Sequence, residues 1–278
     1  MAIRIVTDST CDLPYELIEK YRITVIPMYI HVGELTFQDA VEISRQEFYE
    51  RLPEFKHTPT TAAPGPETFR QVYEQLADEG ATEILSIHIS VKLSAVCNIA
   101  AQAAEETKAV KVTTFDSHQL SLGTGFQVLA AAQAAEAGRS MSEILSMLED
   151  LVSRIHVFAA LDTLEFLRRS GRMNFVISFL GTLLQVKPLM KMYKGDPTAE
   201  RIRTRERAVK RLIELLQESG PIEKVALLHS NAADRAQTLL QTINPMLSVK
   251  DILVEEINPT LGAHVGPGVI GFAVISKK

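Results

Sequence analysis

The sequence predicts an α/β fold in two parts: an N-terminal α/β domain built on a parallel sheet (residues 1–153) and a C-terminal mixed α+β sandwich (residues 154–278). In the first half, short β-branched runs alternate with segments of helical spacing, the pattern of right-handed βαβ units around a buried sheet. In the second half, about six strand-like runs stand against two helices, which favours a sandwich over a second doubly wound domain. The 278 residues are 46% hydrophobic, enough to bury a full core.

Strands are expected at 3–7, 23–26, 84–89 and 110–115, where Ile, Val, Thr and Phe cluster. Between them, residues 66–79, 93–108 and 121–137 carry apolar side chains at helical spacing, and the last two are rich in alanine, the strongest helix former. The helical pattern restarts after Gly138, with Ser140 or Ser142 placed to cap a helix running to about His156. The domain boundary is expected near the middle or end of that helix. Downstream, strands are expected at 157–161, 185–192, 202–204, 225–228, 247–255 and 269–275, with helices at 206–217 and 234–243. No internal repeat or low-complexity tract is visible, which sets solenoids and disordered tails aside.

Composition narrows the function classes. Lys and Arg total 29 against 34 Asp and Glu, a formal net charge of −5 that argues against neutralising nucleic-acid phosphates. Cys11 and Cys97 lack CxxC spacing and flanking histidines, so no zinc site or redox dithiol is signalled, and a reduced, cytoplasmic setting is expected. The chain starts directly in a strand, without a secretion-like leader, and its longest apolar stretches, such as 175–184, are too short and interrupted to span a bilayer. No GxSxG, GxxxxGK or HExxH pattern occurs.

Six stretches carry chemistry. Thr7-Asp8-Ser9-Thr10-Cys11-Asp12 follows the first strand, where open α/β sheets place ligand loops, although the stronger reading is that Asp8 or Asp12 caps a helix that begins at Pro14. Phe115-Asp116-Ser117 repeats the pattern. Residues 58–66 read as a proline-stiffened loop presenting Thr60 and Thr61 hydroxyls. Ser94 stands at the start of a helix, a place suited to an anion or to a plain cap. Arg168, Arg169 and Arg172 cluster around Gly171; the first two read as a solvated helix end and Arg172 as the better anion ligand. The stretch 258–268 surrounds His264 with Pro259, Gly262, Gly266, Pro267 and Gly268, letting backbone approach a ligand closely beside a titratable ring. His31, His57, His118, His156 and His229 show no metal-like spacing and read as surface or satisfied core residues.

Taken in order, these motifs resemble the DegV family. The resemblance spans nearly the whole chain through Thr7-Asp8-Ser9, Asp12-Leu13-Pro14, Thr61 with Pro64, Leu93-Ser94, Phe115-Asp116-Ser117, residues 164–172, Lys187-Pro188 and residues 264–268. It implies a fatty-acid-binding protein that holds an acyl chain between its domains and serves as the lipid-carrying subunit of a bacterial two-component fatty acid kinase in phospholipid metabolism. It implies carboxylate contacts from Thr61, Ser94 and His264, with Arg172 and Gly266 beside the head group. Phe166, Ile177, Phe179, Leu180 and Met190 are the expected acyl-chain wall, and Arg201, Arg203 and Arg205 the expected docking residues for the separate ATP-dependent kinase. No cofactor, metal, catalytic residue, nucleic-acid partner or integral membrane segment is expected. Three departures stand out: Thr61-Ala62-Ala63-Pro64 for the family's Thr-Ser-Gln-Pro, Ser94-Ala95-Val96 for Ser-Gly-Thr, and Ser170-Gly171-Arg172 for Gly-Gly-Arg. The rival reading is an acyl-substrate hydrolase with Ser94 as nucleophile and His264 as base.

Overall fold

The computed structural model describes residues 2–173 and 187–278. Strands β1 (Ile3–Asp8), β2 (Thr24–Ile26), β6 (Glu83–His88) and β7 (Lys111–Asp116) form a parallel sheet in the order β2-β1-β6-β7. Both faces of this sheet are covered, which is why Ile84, Leu85 and Ile87 of β6 are all buried instead of alternating with polar residues. Helices α1 (Tyr15–Lys20), α3 (Pro66–Asp78), α4 (Val96–Glu106), α5 (Leu122–Glu136) and α6 (Met141–Val152) accompany it.

Helix α5 ties the two halves together. It is buried without a break from Leu122 to Leu129, as a helix apolar on every side must be. Two glycines allow the close approach. A Cβ at Gly125 would lie 2.4 Å from the Cys11 carbonyl oxygen, and one at Gly123 would lie 2.6 Å from a methyl of Val157 in the other sheet.

That other sheet is six-stranded and mixed. Strands β8 (Ile155–Ala160), β9 (Lys187–Tyr193), β10 (Asp196–Ile202), β11 (Ile222–His229), β12 (Leu253–Glu256) and β13 (Ile270–Ser276) take the order β10-β9-β8-β13-β11-β12. β13 lies between β8 and β11 and is antiparallel to both. Alternation sorts its side chains: Phe158, Leu227 and Phe272 face a core shared with α8 (Arg205–Glu218) and α9 (Ala233–Ile243), whereas Val157, Met192 and Leu228 join the core of the first sheet.

A third, antiparallel sheet of β3 (Tyr29–Val32), β4 (Leu35–Gln38) and β5 (Thr60–Ala62), in the order β4-β3-β5, packs with α2 (Arg45–Arg51). Its core includes Ala263 of α10 (Pro259–Val265). A short helix, α7 (Glu165–Arg169), follows β8.

Several expectations need correction. The helix after Gly138, capped by Ser140 with Glu143 completing a capping box, stops at Val152, because the next strand starts at Ile155 and takes His156 with it. Helix α4 starts at Val96, leaving Ser94 in the turn before it. The proposed loop 58–66 contains β5, the proposed turn 258–268 contains α10, and the strand expected at 247–255 is confined to Leu253–Glu256. The three-residue strand at 202–204 proves to be the end of β10, whose Pro197 is tolerated because β10 is an edge. Asp8 caps the short 3₁₀ turn Ser9–Cys11, and α1 has no side-chain cap from Asp8 or Asp12.

Candidate functional site

A cavity of about 1120 Å³, its open end included, lies between the two larger sheets. From the first sheet come residues just past the strand ends: Thr10 after β1, Ile89 after β6, and Leu120 and Ser121 after β7. This is where ligand-contacting loops of a parallel sheet gather. From the six-stranded sheet come Val157 and Ala159 of β8, Leu161 beyond it, Met190 and Met192 of β9, and Leu228 of β11. Spacing of two along each strand turns this set to one face. The α10 face bearing Thr260, Leu261, His264 and Val265 completes the wall.

Besides Thr10, Ser121, Lys191 and Thr260, four polar residues gather at one part of this mainly apolar space. Thr61, Ser94, Arg172 and His264 all line it. Thr61 Oγ1 and His264 Nε2 are 2.9 Å apart, while His264 Nδ1 is buried with no hydrogen-bond partner. Burial first, and then the charge of Arg172, push the His264 pKa down to about 4, so the ring is neutral at pH 7. Ser94 Oγ accepts from the Val96 N–H at 3.3 Å, which leaves its own hydroxyl hydrogen for another acceptor. Arg172 follows Gly171, whose φ of +74° turns the chain, and donates from Nη1 to the Ser170 carbonyl at 2.9 Å. One cation, two hydroxyls and a neutral imidazole beside an apolar cavity suit an amphipathic anion.

Buried carboxylates hold α10, and with it His264, in place. Asn258 caps the helix by accepting from the Leu261 N–H at 2.9 Å. Its own backbone N–H and Nδ2 donate to Asp12 Oδ1 at 2.9 and 2.8 Å, and Ser121 Oγ donates to Asp12 Oδ2 at 2.5 Å. Burial raises the Asp12 pKa against the opposing pull of Arg45, whose guanidinium lies 3.6 Å away. Asp39 Oδ2 accepts from Thr260 Oγ1 at 2.5 Å and Ser9 Oγ at 2.9 Å, and burial pushes its pKa up to about 6. Gly262 lets Tyr49 close on the back of the helix, since a Cβ there would lie 2.5 Å from the tyrosine hydroxyl.

The expected site residues are distributed unevenly. Thr61, Ser94, Arg172, His264 and Met190 meet around the cavity. Gly266 and Phe166 are not among its lining residues; they pack on each other, and a Cβ at Gly266 would lie 2.2 Å from the Phe166 ring. Ile177, Phe179 and Leu180 lie outside the described residues. Arg168 and Arg169 both pair with Glu165, at 2.7 and 2.6 Å. Arg201 and Arg203 are exposed, and Arg205 makes a forked bond to Asp162 at 2.9 and 2.6 Å. His229 departs from expectation: it is buried, its Nδ1 lacks a hydrogen-bond partner, and burial lowers its pKa.

Sequence reasoning did not single out Met28, Ser121, Thr260 or Asp39. Ser121 carried a signal, as the residue opening an alanine-rich helix after a strand. It also missed a chain of buried hydrogen bonds in which Tyr73 donates to Ser86 (2.8 Å), Ser86 meets His88 Nε2 (2.7 Å) and His88 Nδ1 meets Asp8 (2.9 Å). This resembles a hydrolytic triad, but Ser86, His88 and Asp8 are each 0% exposed, so no substrate reaches them. Burial opposes ionisation of Asp8, yet the donors around it hold its carboxyl below the usual range. Among the described residues, no group of three His, Cys, Asp or Glu is gathered for a metal ion, and no helix is long and apolar enough to cross a membrane.

Comparison with known proteins gives one result along the whole length. A DegV family protein from Thermus thermophilus, described for its fatty acid binding, is 35% identical, covers 100% of both chains and superposes with a TM-score of 0.91. DegV from Bacillus subtilis, described as a fatty acid binding protein, is 30% identical with a TM-score of 0.93 over 100% of both chains. A DegV domain-containing protein of Streptomyces coelicolor is 34% identical over 281 aligned residues, 99% of each chain. The family model described as "Uncharacterised protein, DegV family" matches residues 2–277, and the chain therefore belongs to the DegV family.

Proposed function

We propose that this protein is a fatty-acid carrier. It buries a long acyl chain in the cavity between its sheets and presents the carboxylate at Thr61, Ser94, His264 and Arg172 to a separate ATP-dependent kinase. The single observation that carries this reading is a mainly apolar cavity on whose wall Thr61, Ser94, Arg172 and His264 come together, Thr61 and His264 in hydrogen-bond contact. Each buried CH₂ contributes about 0.8 kcal/mol, so the chain supplies affinity while the cluster sets direction. The fatty acid binding described for the relatives from Thermus thermophilus and Bacillus subtilis supports the same reading.

At the head group, the tautomer with hydrogen on His264 Nε2 donates to Thr61 Oγ1 and leaves the Thr61 hydroxyl hydrogen for the ligand. Ser94 supplies the second hydroxyl donor and Arg172 the positive charge. A carboxylate so held keeps an oxygen free to attack the terminal phosphorus of ATP on the kinase, giving acyl phosphate and ADP; this chain makes no bond itself. Exposed Arg201 and Arg203, with Arg205 nearby, offer the kinase a basic docking edge in the cytoplasm. The hydrolase alternative is disfavoured because His264 Nε2 is engaged by Thr61 rather than Ser94, and no carboxylate orients its Nδ1.

Native mass spectrometry tests the carrier directly. Protein from cells or from lipid-supplemented medium is expected to carry one fatty acid per chain; protein that stays empty under both conditions would end this reading.

A further inference from the structure

Ser121 stands just before α5 and lines the cavity, yet neither of the local reasons for a serine at that position applies. The chain turns there, with the Gly123 N–H donating to the Leu120 carbonyl at 3.0 Å and Ser121 at φ +51° and ψ −143°. That is close to the first central position of a type II′ turn, which glycine occupies without steric cost and a residue bearing a Cβ resists. A serine before a helix ordinarily caps a free N–H of the first turn, and Ser121 makes no such bond.

The hydroxyl goes to Asp12 instead. That aspartate also has a positive φ, +55°, and its side chain is 0% exposed. Its Oδ1 accepts from the backbone N–H and Nδ2 of Asn258 at 2.9 and 2.8 Å, and its Oδ2 accepts from Ser121 Oγ at 2.5 Å, the one hydrogen-bond donor to that oxygen among the described residues. A carboxylate held through both oxygens is fixed in its plane. Held through one, it turns about its Cβ–Cγ bond, which is a soft torsion. Asn258 follows that plane, and Asn258 is the cap of α10. A helix of seven residues has little rigidity of its own to absorb a displaced start, and His264 lies in its last turn.

We propose that Ser121 is a positioning residue for the ligand carboxylate: through Asp12 and Asn258 it sets the placement of α10 and so holds His264 Nε2 within hydrogen-bonding distance of Thr61 Oγ1. This inference rests on the carrier reading and adds to it a residue that does not itself bind the carboxylate. It also gives a reason for a serine in a glycine conformation, since residues with a Cβ held in such backbone regions concentrate at binding and catalytic sites.

Titration calorimetry with hexadecanoate and hexadecanol, equal in chain length and different at the head, separates positioning from simple support of the wall. Ser121→Gly and Ser121→Ala both remove the hydroxyl, the first in a residue that takes this backbone conformation freely. Each is expected to bind hexadecanoate about tenfold more weakly than wild type and hexadecanol within about twofold. Ser121→Thr keeps the hydroxyl on a β-branched residue that suits positive φ poorly; it is expected to unfold at lower urea than wild type and to hold hexadecanoate within about twofold of it. Affinity that follows stability instead of the hydroxyl, an equal loss of both ligands in the glycine and alanine variants, or no loss of either overturns the positioning role and leaves the carrier standing. If wild type binds neither ligand, the carrier reading itself falls and takes the role of Ser121 with it.

Discussion

At the residue scale, the cluster of Thr61, Ser94, Arg172 and His264 contains a neutral histidine, and this has a measurable signature. The folded-state pKa of His264 is about 4, below the ordinary value of 6.5, so the proton is bound less readily when folded. Its contribution to stability is therefore complete above pH 6.5 and is lost as pH falls through about 4. Asp39 runs the other way: its folded pKa of about 6 exceeds the ordinary 3.8, so its contribution is complete below pH 3.8 and lost as pH rises through about 6. Because the windows overlap, the wild-type curve alone mixes them. The stability difference between wild type and His264→Gln, followed by urea unfolding of ligand-free protein, is expected to shrink as pH drops from 6.5 to 4; Asp39→Asn is expected to show the opposite slope. A pH-independent difference for His264→Gln would contradict the buried, neutral ring. Sequence chemistry found Thr61, Ser94 and His264 as separate candidates, and Asp39 not at all. An aspartate in the middle of a short polar segment looks like surface until Ser9 and Thr260, 30 residues before and 221 after it, close over it.

At the element scale, α10 is a seven-residue helix that depends on its cap more than on its own length. Asn258→Ala removes the acceptor for the Leu261 N–H and one donor to the buried Asp12 carboxylate. A loss of about 2 kcal/mol is expected from a cap and a buried charge-assisted bond together. It is checked by a lower urea midpoint at unchanged slope; a surface-like change within about 0.5 kcal/mol would mean that the cap is dispensable. The parallel sheet was legible because its strands are buried on both faces and read as plain β-branched runs, and α5 was legible from its alanines. α10 was not. Pro259, Gly262 and Gly266 read as a reversal of the chain, yet Pro259 sits in the first turn, Gly262 makes room for Tyr49 and only Gly266, with φ of +73°, ends the helix. The small sheet β4-β3-β5 escaped because strands of three or four residues are too short for alternation to register.

At the scale of the whole molecule, a ligand held between two sheets is bound only when both are folded. Binding of a fatty acid at 100 times its Kd is therefore expected to stabilise the fold by about 2.7 kcal/mol, which for a chain of this size raises the melting temperature by about 5–10 °C. A fatty alcohol of the same length giving an equal shift would remove the carboxylate from the account. The two-part architecture was legible, but the strand order was not: periodicity reports which residues form strands and is silent on which strands become neighbours. That order has a consequence for biosynthesis. β13 is the last strand of the six to leave the ribosome, and it alone joins the β10-β9-β8 block to the β11-β12 pair. Until it inserts, one wall of the cavity is two disconnected pieces, so on the carrier reading a chain lacking β13 is expected to hold no fatty acid.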